Sequence, residues 1–162
     1  MTAVGWLRAM LRLGRVAEPA PEPSPGTANV PAVLRGSTQL RHVDVGSCNG
    51  CEIEISGAFG PVYDAERYGA RLVASPRHAD GLLVTGVVTR NMAEALRRTH
   101  TATPAPNVVI ACGDCALNQG LFAGAYGVVG AVRDVVGVDV EIPGCPPSPE
   151  AIVAALRSVT GR

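Results

Sequence analysis

Lysine is absent from this 162-residue chain, and all fourteen of its basic residues are arginine. Charge is scarce too, at 17% of residues against roughly 25% in an ordinary soluble domain. Aromatic residues supply only 4%. Basic and acidic residues balance at fourteen each, so no basic surface for nucleic acid is expected. No apolar run approaches the ~20 residues that span a bilayer, which argues against a transmembrane helix. Residues 1–16 carry spread arginines and lack a small-residue cleavage site, so no secretory signal is expected. A cytoplasmic protein keeps its thiols reduced, and clustered cysteines there point to metal binding or catalysis rather than disulfides. With so little charge to cover it, part of the surface is expected to be buried against partner subunits. The same composition also describes a compact alanine- and valine-rich domain with an arginine bias.

What is present is a 47% hydrophobic chain of a length that fits one domain plus a tail. Residues 1–16 read as an amphipathic helix: Trp6, Met10 and Leu13 share one face, Arg8, Arg12 and Arg15 another. Such a helix suits a partner groove or an anionic membrane surface. Residues 17–33 form a linker, stiffened by Pro19, Pro21, Pro23, Pro25 and Pro31. The folded domain is expected over residues 34–162. There strands at 39–45, 71–74, 81–85, 107–111 and 138–142 alternate with helices at 51–59, 92–99, 128–136 and 149–159. Ser148 is the expected cap of the last helix and Pro149 its first residue. This alternation predicts an α/β fold, an open and mostly parallel sheet with helices on both faces.

Five cysteines punctuate that order. Cys48 and Cys51 lie in Ser47-Cys48-Asn49-Gly50-Cys51-Glu52, Cys112 and Cys115 flank Gly113-Asp114, and Cys145 sits in Pro143-Gly144-Cys145-Pro146-Pro147. Each group follows a predicted strand, and open parallel sheets gather ligands at the carboxyl ends of their strands. All five therefore belong to one edge of the sheet. Four thiolates of five would hold one cubane [4Fe–4S] cluster. Gly46, Gly50, Gly113 and Gly144 let the backbone approach sulfur closely. A helix starting near Cys51 would aim its positive end at the anionic cluster. Zinc competes, because two C-x-x-C pairs are present. Ribbon sites separate such pairs by about 15–20 residues, whereas sixty intervene between Cys51 and Cys112. A thioredoxin-like pair at Cys48 and Cys51 leaves Cys145 without a role.

Several stretches together carry a family resemblance. They are Ser47-Cys-Asn-Gly-Cys-Glu-Ile-Glu-Ile55, Tyr63-Asp-Ala-Glu-Arg-Tyr-Gly69, Ser75-Pro-Arg-His-Ala-Asp80, Val84-Thr-Gly-Val-Val-Thr89 and Ile142-Pro-Gly-Cys-Pro-Pro147. Over about residues 41–150 the chain resembles the small subunit of energy-converting, formate hydrogenlyase-type (group 4) [NiFe]-hydrogenases. It is also similar to the homologous 20 kDa (B) subunit of respiratory complex I, NADH:quinone oxidoreductase. The spaced Cys48/Cys51 pair matches the hydrogenase branch, since complex I subunits carry adjacent cysteines there. The resemblance implies a flavodoxin-like domain holding one proximal [4Fe–4S] cluster on Cys48, Cys51, Cys115 and Cys145, with Cys112 as the alternative to Cys115. It implies electron transfer to or from a partner's active site and no substrate chemistry in this chain alone. The implied partners are a hydrogenase large subunit or a 49 kDa-like subunit of complex I, a ferredoxin-like iron–sulfur subunit, and membrane subunits. They would hold the chain peripherally on the cytoplasmic face of the membrane. In the complex-I-like version the cluster reduces a quinone, and a zinc-stabilised scaffold subunit is the non-enzymatic alternative.

Other residues carry less. Glu52 is either a carboxylate that tunes the cluster or relays protons, or a first-turn acid favoured by the helix dipole. Arg77, His78 and Asp80 form a charged knot before the 81–85 strand. Thr85, Gly86 and Thr89 are expected to pack or hydrogen-bond around the pocket, with Asp114 and Asn118 behind the cysteines. His42, alone on a strand, reads as a satisfied histidine rather than a ligand.

Overall fold

The structure, a computed structural model, describes residues 30–162 together with Leu11 and Arg12. The expected amphipathic helix, apart from those two exposed helical residues, and the proline-rich linker up to residue 29 lie outside the described residues.

A five-stranded parallel sheet forms the centre. Its strands are β1 (Thr38–Asp44), β2 (Ala70–Leu72), β3 (Gly81–Thr85), β5 (Val108–Cys112) and β7 (Val140–Ile142), in the order β2-β1-β3-β5-β7. Counted within this sheet alone, the order is 2-1-3-4-5, the flavodoxin-like arrangement. A small antiparallel pair, β4 (Val88–Thr89) with β6 (Val128–Gly130), stands apart from it. The helices are α1 (Gly50–Ala58), α2 (Arg90–Ala102), α3 (Asp114–Asn118) and α4 (Pro149–Thr160).

The pleat sorts the core into two halves. Leu40, Leu83, Ile110, Cys112, Val140 and Ile142 point to one face, where Cys51 and Ile55 of α1 and Ile152 and Leu156 of α4 cover them. Val43, Leu82, Val84, Val109 and Ala111 point to the other, under Ala93 and Leu96 of α2 and Ala116 and Leu117 of α3. Because both faces are covered, β3 and β5 are buried at every position, which is why they read as unbroken apolar runs. Burying a leucine or isoleucine such as Leu83 or Ile110, each at 0% exposure, contributes roughly 1.5–3 kcal/mol. The Ser148 hydroxyl accepts the amide of Ala151, and Pro149 opens α4 as expected. Among the described residues no helix is long and apolar enough to cross a membrane.

One expected element is corrected. Residues 128–136 do not form a helix: Val128–Gly130 is a strand and Val132–Asp134 a single 3-10 turn. Gly127, Gly130 and Gly137 interrupt any helical run, and Val128 and Val129 are β-branched. The Asp134 carboxylate accepts the Ala131 amide at 2.8 Å and fills the space where a side chain at Gly130 would stand. Arg133 and Asp134 are exposed, and Arg133 pairs with Glu141 at 2.7 Å.

From β1 the chain first moves outward to β2, then crosses back to β3, β5 and β7 on the other side. The order reverses between β1 and β3, and a crevice opens at the carboxyl ends of strands diverging in this way.

Candidate functional site

A cavity of about 140 Å³ occupies that crevice, lined by Ser47, Cys48, Gly50, Cys51, Gly86, Asp114, Cys115, Gly144, Cys145 and Pro146. Four of the five cysteines are among these residues. Three chain segments deliver them: the β1–α1 turn gives Cys48 and Cys51, the start of α3 gives Cys115, and the loop after β7 gives Cys145. Cys112 is not in the lining. It ends β5 at 0% exposure, on the face covered by α1. All five thiols are free.

The thiols differ in environment. Burial holds the Cys115 thiol above its ordinary range, and nearby Cys145, Cys48 and Cys51 push it further up. Negative charge on the neighbouring cysteines is thus felt at Cys115. The neighbouring Cys112 thiol lowers the pKa of Cys51, while Cys51 and burial together raise that of Cys112.

The loops are fixed by backbone-directed bonds. The Asp44 carboxylate accepts the amides of Gly46 at 2.8 Å and Ser47 at 2.7 Å, turning the chain sharply into Cys48. Asp114 accepts the Gly144 amide at 2.8 Å, while its own amide donates to the Gly144 carbonyl at 2.9 Å. This two-way clamp joins the Cys115 and Cys145 loops. Asn118 accepts the Gly120 amide at 2.9 Å, and Gly120 lies against Cys115. Gly86 packs on the backbone of Gly46 and Ser47, too closely for any side chain.

Glu52, in the first turn of α1, is held on several sides. One carboxylate oxygen accepts the Ser47 hydroxyl at 2.6 Å; the other accepts the Thr85 hydroxyl and lies 3.6 Å from His42 Nε2. His42 also bonds Thr85 Oγ1 at 2.9 Å. Burial outweighs the pull of Glu52 and Asp44 and lowers the His42 pKa. His42 is thus satisfied, as its isolation on a strand suggested, but within a chain ending at Ser47 beside Cys48. The roles of Asp44 and His42 in this support were missed from sequence. An aspartate two residues before a glycine after a strand was the available signal for the first. No local pattern joins residues 42, 52 and 85. Thr89 donates to the Val45 carbonyl at 3.1 Å, whereas Arg77, His78 and Asp80 stand at the opposite, amino edge of the sheet. There Asp80 accepts the Gln39 amide at 2.7 Å.

The family of the NADH ubiquinone oxidoreductase 20 Kd subunit matches residues 48–159, which include all five cysteines. The chain belongs to this family. Among curated relatives, formate hydrogenlyase subunit 7 of Escherichia coli (strain K12) is 44% identical over 128 residues. That alignment takes in 79% of this chain and 50% of the relative, so the chain spans about half that protein's length. The probable membrane-bound hydrogenase subunit mbhJ of Pyrococcus furiosus is 50% identical over 112 residues, 69% of this chain and 67% of the relative. Among solved structures, a chain of the archaeal membrane-bound sulfane sulfur reductase superposes with a TM-score of 0.67 at 32% identity. It covers 77% of this chain and 69% of its own. A chain of an NAD+-reducing [NiFe]-hydrogenase, at 21% identity and a TM-score of 0.56, shares the fold over 72% of this chain and 86% of its own.

Proposed function

We propose that this chain is the electron-transfer subunit of a multisubunit oxidoreductase of [NiFe]-hydrogenase type. It holds one [4Fe–4S] cluster on Cys48, Cys51, Cys115 and Cys145. One observation carries the reading: four cysteines from three separate segments line a single cavity at the switch point of the sheet. When bound, such a cluster supplies one-electron transfer.

The residues present fit that group. The donors are all sulfur, as iron–sulfur clusters require. The Cys115 thiol, which burial and the neighbouring cysteines push up, is relieved when iron takes its proton's place. The amino end of α1, with Gly50 and Cys51, lies at the cavity, and its dipole favours negative charge there. The closest part of the Gly113 backbone takes up the Cys51 sulfur, in a cradle that a Cβ would fill at 2.5 Å.

Exposed apolar side chains on the segments that carry the cysteines suit a large-subunit partner. Leu121 is 90% and Tyr126 92% exposed just after α3, and Ile53 stands 63% exposed on α1. Partner subunits covering these segments would exclude water from the cluster and attach the chain peripherally to a membrane. A ferredoxin-like subunit would carry the electrons onward.

The deciding experiment is an anaerobic purification of the native assembly, with iron, acid-labile sulfide, zinc and nickel quantified together. Iron and sulfide in excess of four each per chain are expected, since a ferredoxin-like subunit adds clusters of its own, together with stoichiometric nickel. Iron and sulfide without nickel would transfer the reading to the quinone-reducing, complex-I-like branch. Zinc in place of iron would overturn electron transfer.

The Asp114 clamp gives a second test. Asp114→Ala frees the Gly144 amide and loosens the Cys145 loop, so cluster affinity falls roughly 10–100-fold, as for other residues that orient ligands. Asp114→Asn keeps an oxygen acceptor at the same place and stays near wild type. Iron retention during a chelator challenge measures both, and equal retention in Asp114→Ala and wild type would dismiss the clamp.

A further inference from the structure

We propose that Glu52 is a positioning residue whose carboxylate staples the two ends of the Cys48–Cys51 turn together and fixes that turn to the end of β3, so that both thiols hold their places at the cavity. The proposal rests on the ligand set given above. Ser47 and Glu52 bracket the two cysteines, and the Ser47 hydroxyl donates to Glu52 at 2.6 Å. That bond closes a ring of backbone from residue 47 to residue 52, with Cys48 and Cys51 inside it. The same hydroxyl oxygen accepts the Asn49 amide at 3.1 Å. Asn49 takes φ 72° between the two cysteines, a left-handed conformation that asparagine tolerates better than most residues. Ser47 is thus bonded ahead to Asn49 and across to Glu52, while Asp44 holds its own amide at 2.7 Å.

The staple is anchored from the sheet. Thr85 ends β3 at 0% exposure and donates its hydroxyl to the other Glu52 oxygen. A hydroxyl has one proton to give, so Thr85 Oγ1 accepts in its 2.9 Å bond with His42, which carries a proton on Nε2. The donors therefore run from His42 to Thr85 to Glu52 and meet the Ser47 donor there. Thr85 is itself paired to Asp44 of β1 and Cys112 of β5, which fixes its place in the fold. An acid favoured only by the helix dipole would leave its oxygens to water. The Glu52 side chain is 17% exposed, and a hydroxyl donates to each of its oxygens. Cys51 is buried within α1, whereas Cys48 stands exposed ahead of the helix, so Cys48 depends more on the staple.

The test uses the native assembly purified without oxygen from wild type, Glu52→Ala, Glu52→Gln, Ser47→Ala and the double variant Ser47→Ala with Glu52→Ala. Each is challenged with an iron chelator while EPR follows this chain's cluster, identified as the signal missing from Cys48→Ala. Glu52→Ala is expected to lose cluster affinity roughly 10–100-fold and to shift the g-values of what remains. Glu52→Gln stays near wild type, because its carbonyl accepts the Thr85 hydroxyl and its amide donates to Ser47 Oγ. Ser47→Ala falls in the same direction, and the double variant is no worse than Glu52→Ala, since the Ser47 bond can be cut only once. Equal losses in Glu52→Ala and Glu52→Gln would make charge rather than bonding the cause and overturn the staple. So would losses that multiply in the double variant, or a fall in thermal stability with wild-type retention and g-values. If Glu52→Ala does not assemble, loss in Ser47→Ala with retention in Glu52→Gln supports the staple, and wild-type retention in Ser47→Ala overturns it. A full set of signals in Cys48→Ala overturns the ligand set instead.

Discussion

In Cys115→Ala the assembly loses the signal of this chain's [4Fe–4S] cluster, and iron and sulfide fall together; in Cys112→Ala both persist. The two cysteines are three positions apart, but the backbone treats them oppositely. Cys112 is the last residue of a central strand, paired to Thr85 on one side and Ile142 on the other, and its direction is fixed by the pleat. Gly113 then takes φ +91°, which turns the chain so that Cys115 enters α3 and faces the cavity. Bringing Cys112 to the cavity would mean pulling it out of β5 and breaking ladder bonds on both sides. Each such bond contributes about 0.5–1.5 kcal/mol, and a buried group left unpaired costs about 1–3 kcal/mol. Substitution of Cys115 is therefore not rescued by its neighbour. Iron and sulfide per chain, with EPR of the reduced assembly, measure the pair. A cluster retained in Cys115→Ala and lost in Cys112→Ala would reverse the assignment.

The sheet and the meeting of the cysteines were legible because both depend on long-range order written in simple periods. Apolar runs at 81–85 and 107–111 are what strands covered on both faces must be, and β3 and β5 are those strands. Once strands and helices alternate, each loop that follows a strand lies at one edge, so Cys48, Cys115 and Cys145 fall together without any knowledge of side-chain geometry. Choosing between Cys112 and Cys115 needed more. Spacing places both just past a strand, and only the last pleat and the Gly113 turn separate a core thiol from a cavity thiol. The 128–136 segment failed for a related reason. Its valines fit helical spacing, but strand β6 depends on a partner forty residues earlier, Val88–Thr89, which no local window contains. Glu52 was visible as a first-turn acid, yet its contacts with Thr85, Ser47 and His42 assemble across the switch point and leave no sequence period.

Gly113→Ala is expected to damage both stability and cluster content, because one atom meets two obstacles. At φ +91° and ψ 154° the backbone occupies a region that residues with a Cβ avoid, at a cost of roughly 1–3 kcal/mol. For a chain of this size that corresponds to a fall of about 2–12 °C in Tm. The new methyl group would also stand 2.5 Å from the Cys51 sulfur, well inside van der Waals contact, and only displacement of that sulfur relieves it. Two other glycines separate these causes. Gly124 also has a positive φ, +78°, but nothing lies within 4 Å of its Cβ position. Gly124→Ala should therefore lose stability and keep its iron. Gly137 has neither the unusual φ nor a close neighbour, and Gly137→Ala should change stability by no more than about 0.5 kcal/mol. Thermal unfolding and iron content of the three variants, measured on the anaerobic assembly, give the comparison. If Gly113→Ala loses stability to the same degree as Gly124→Ala and keeps all its iron, the Cys51 sulfur does not depend on the Gly113 cradle. If it loses iron beyond what its stability explains, the cradle positions the ligand as well as the turn.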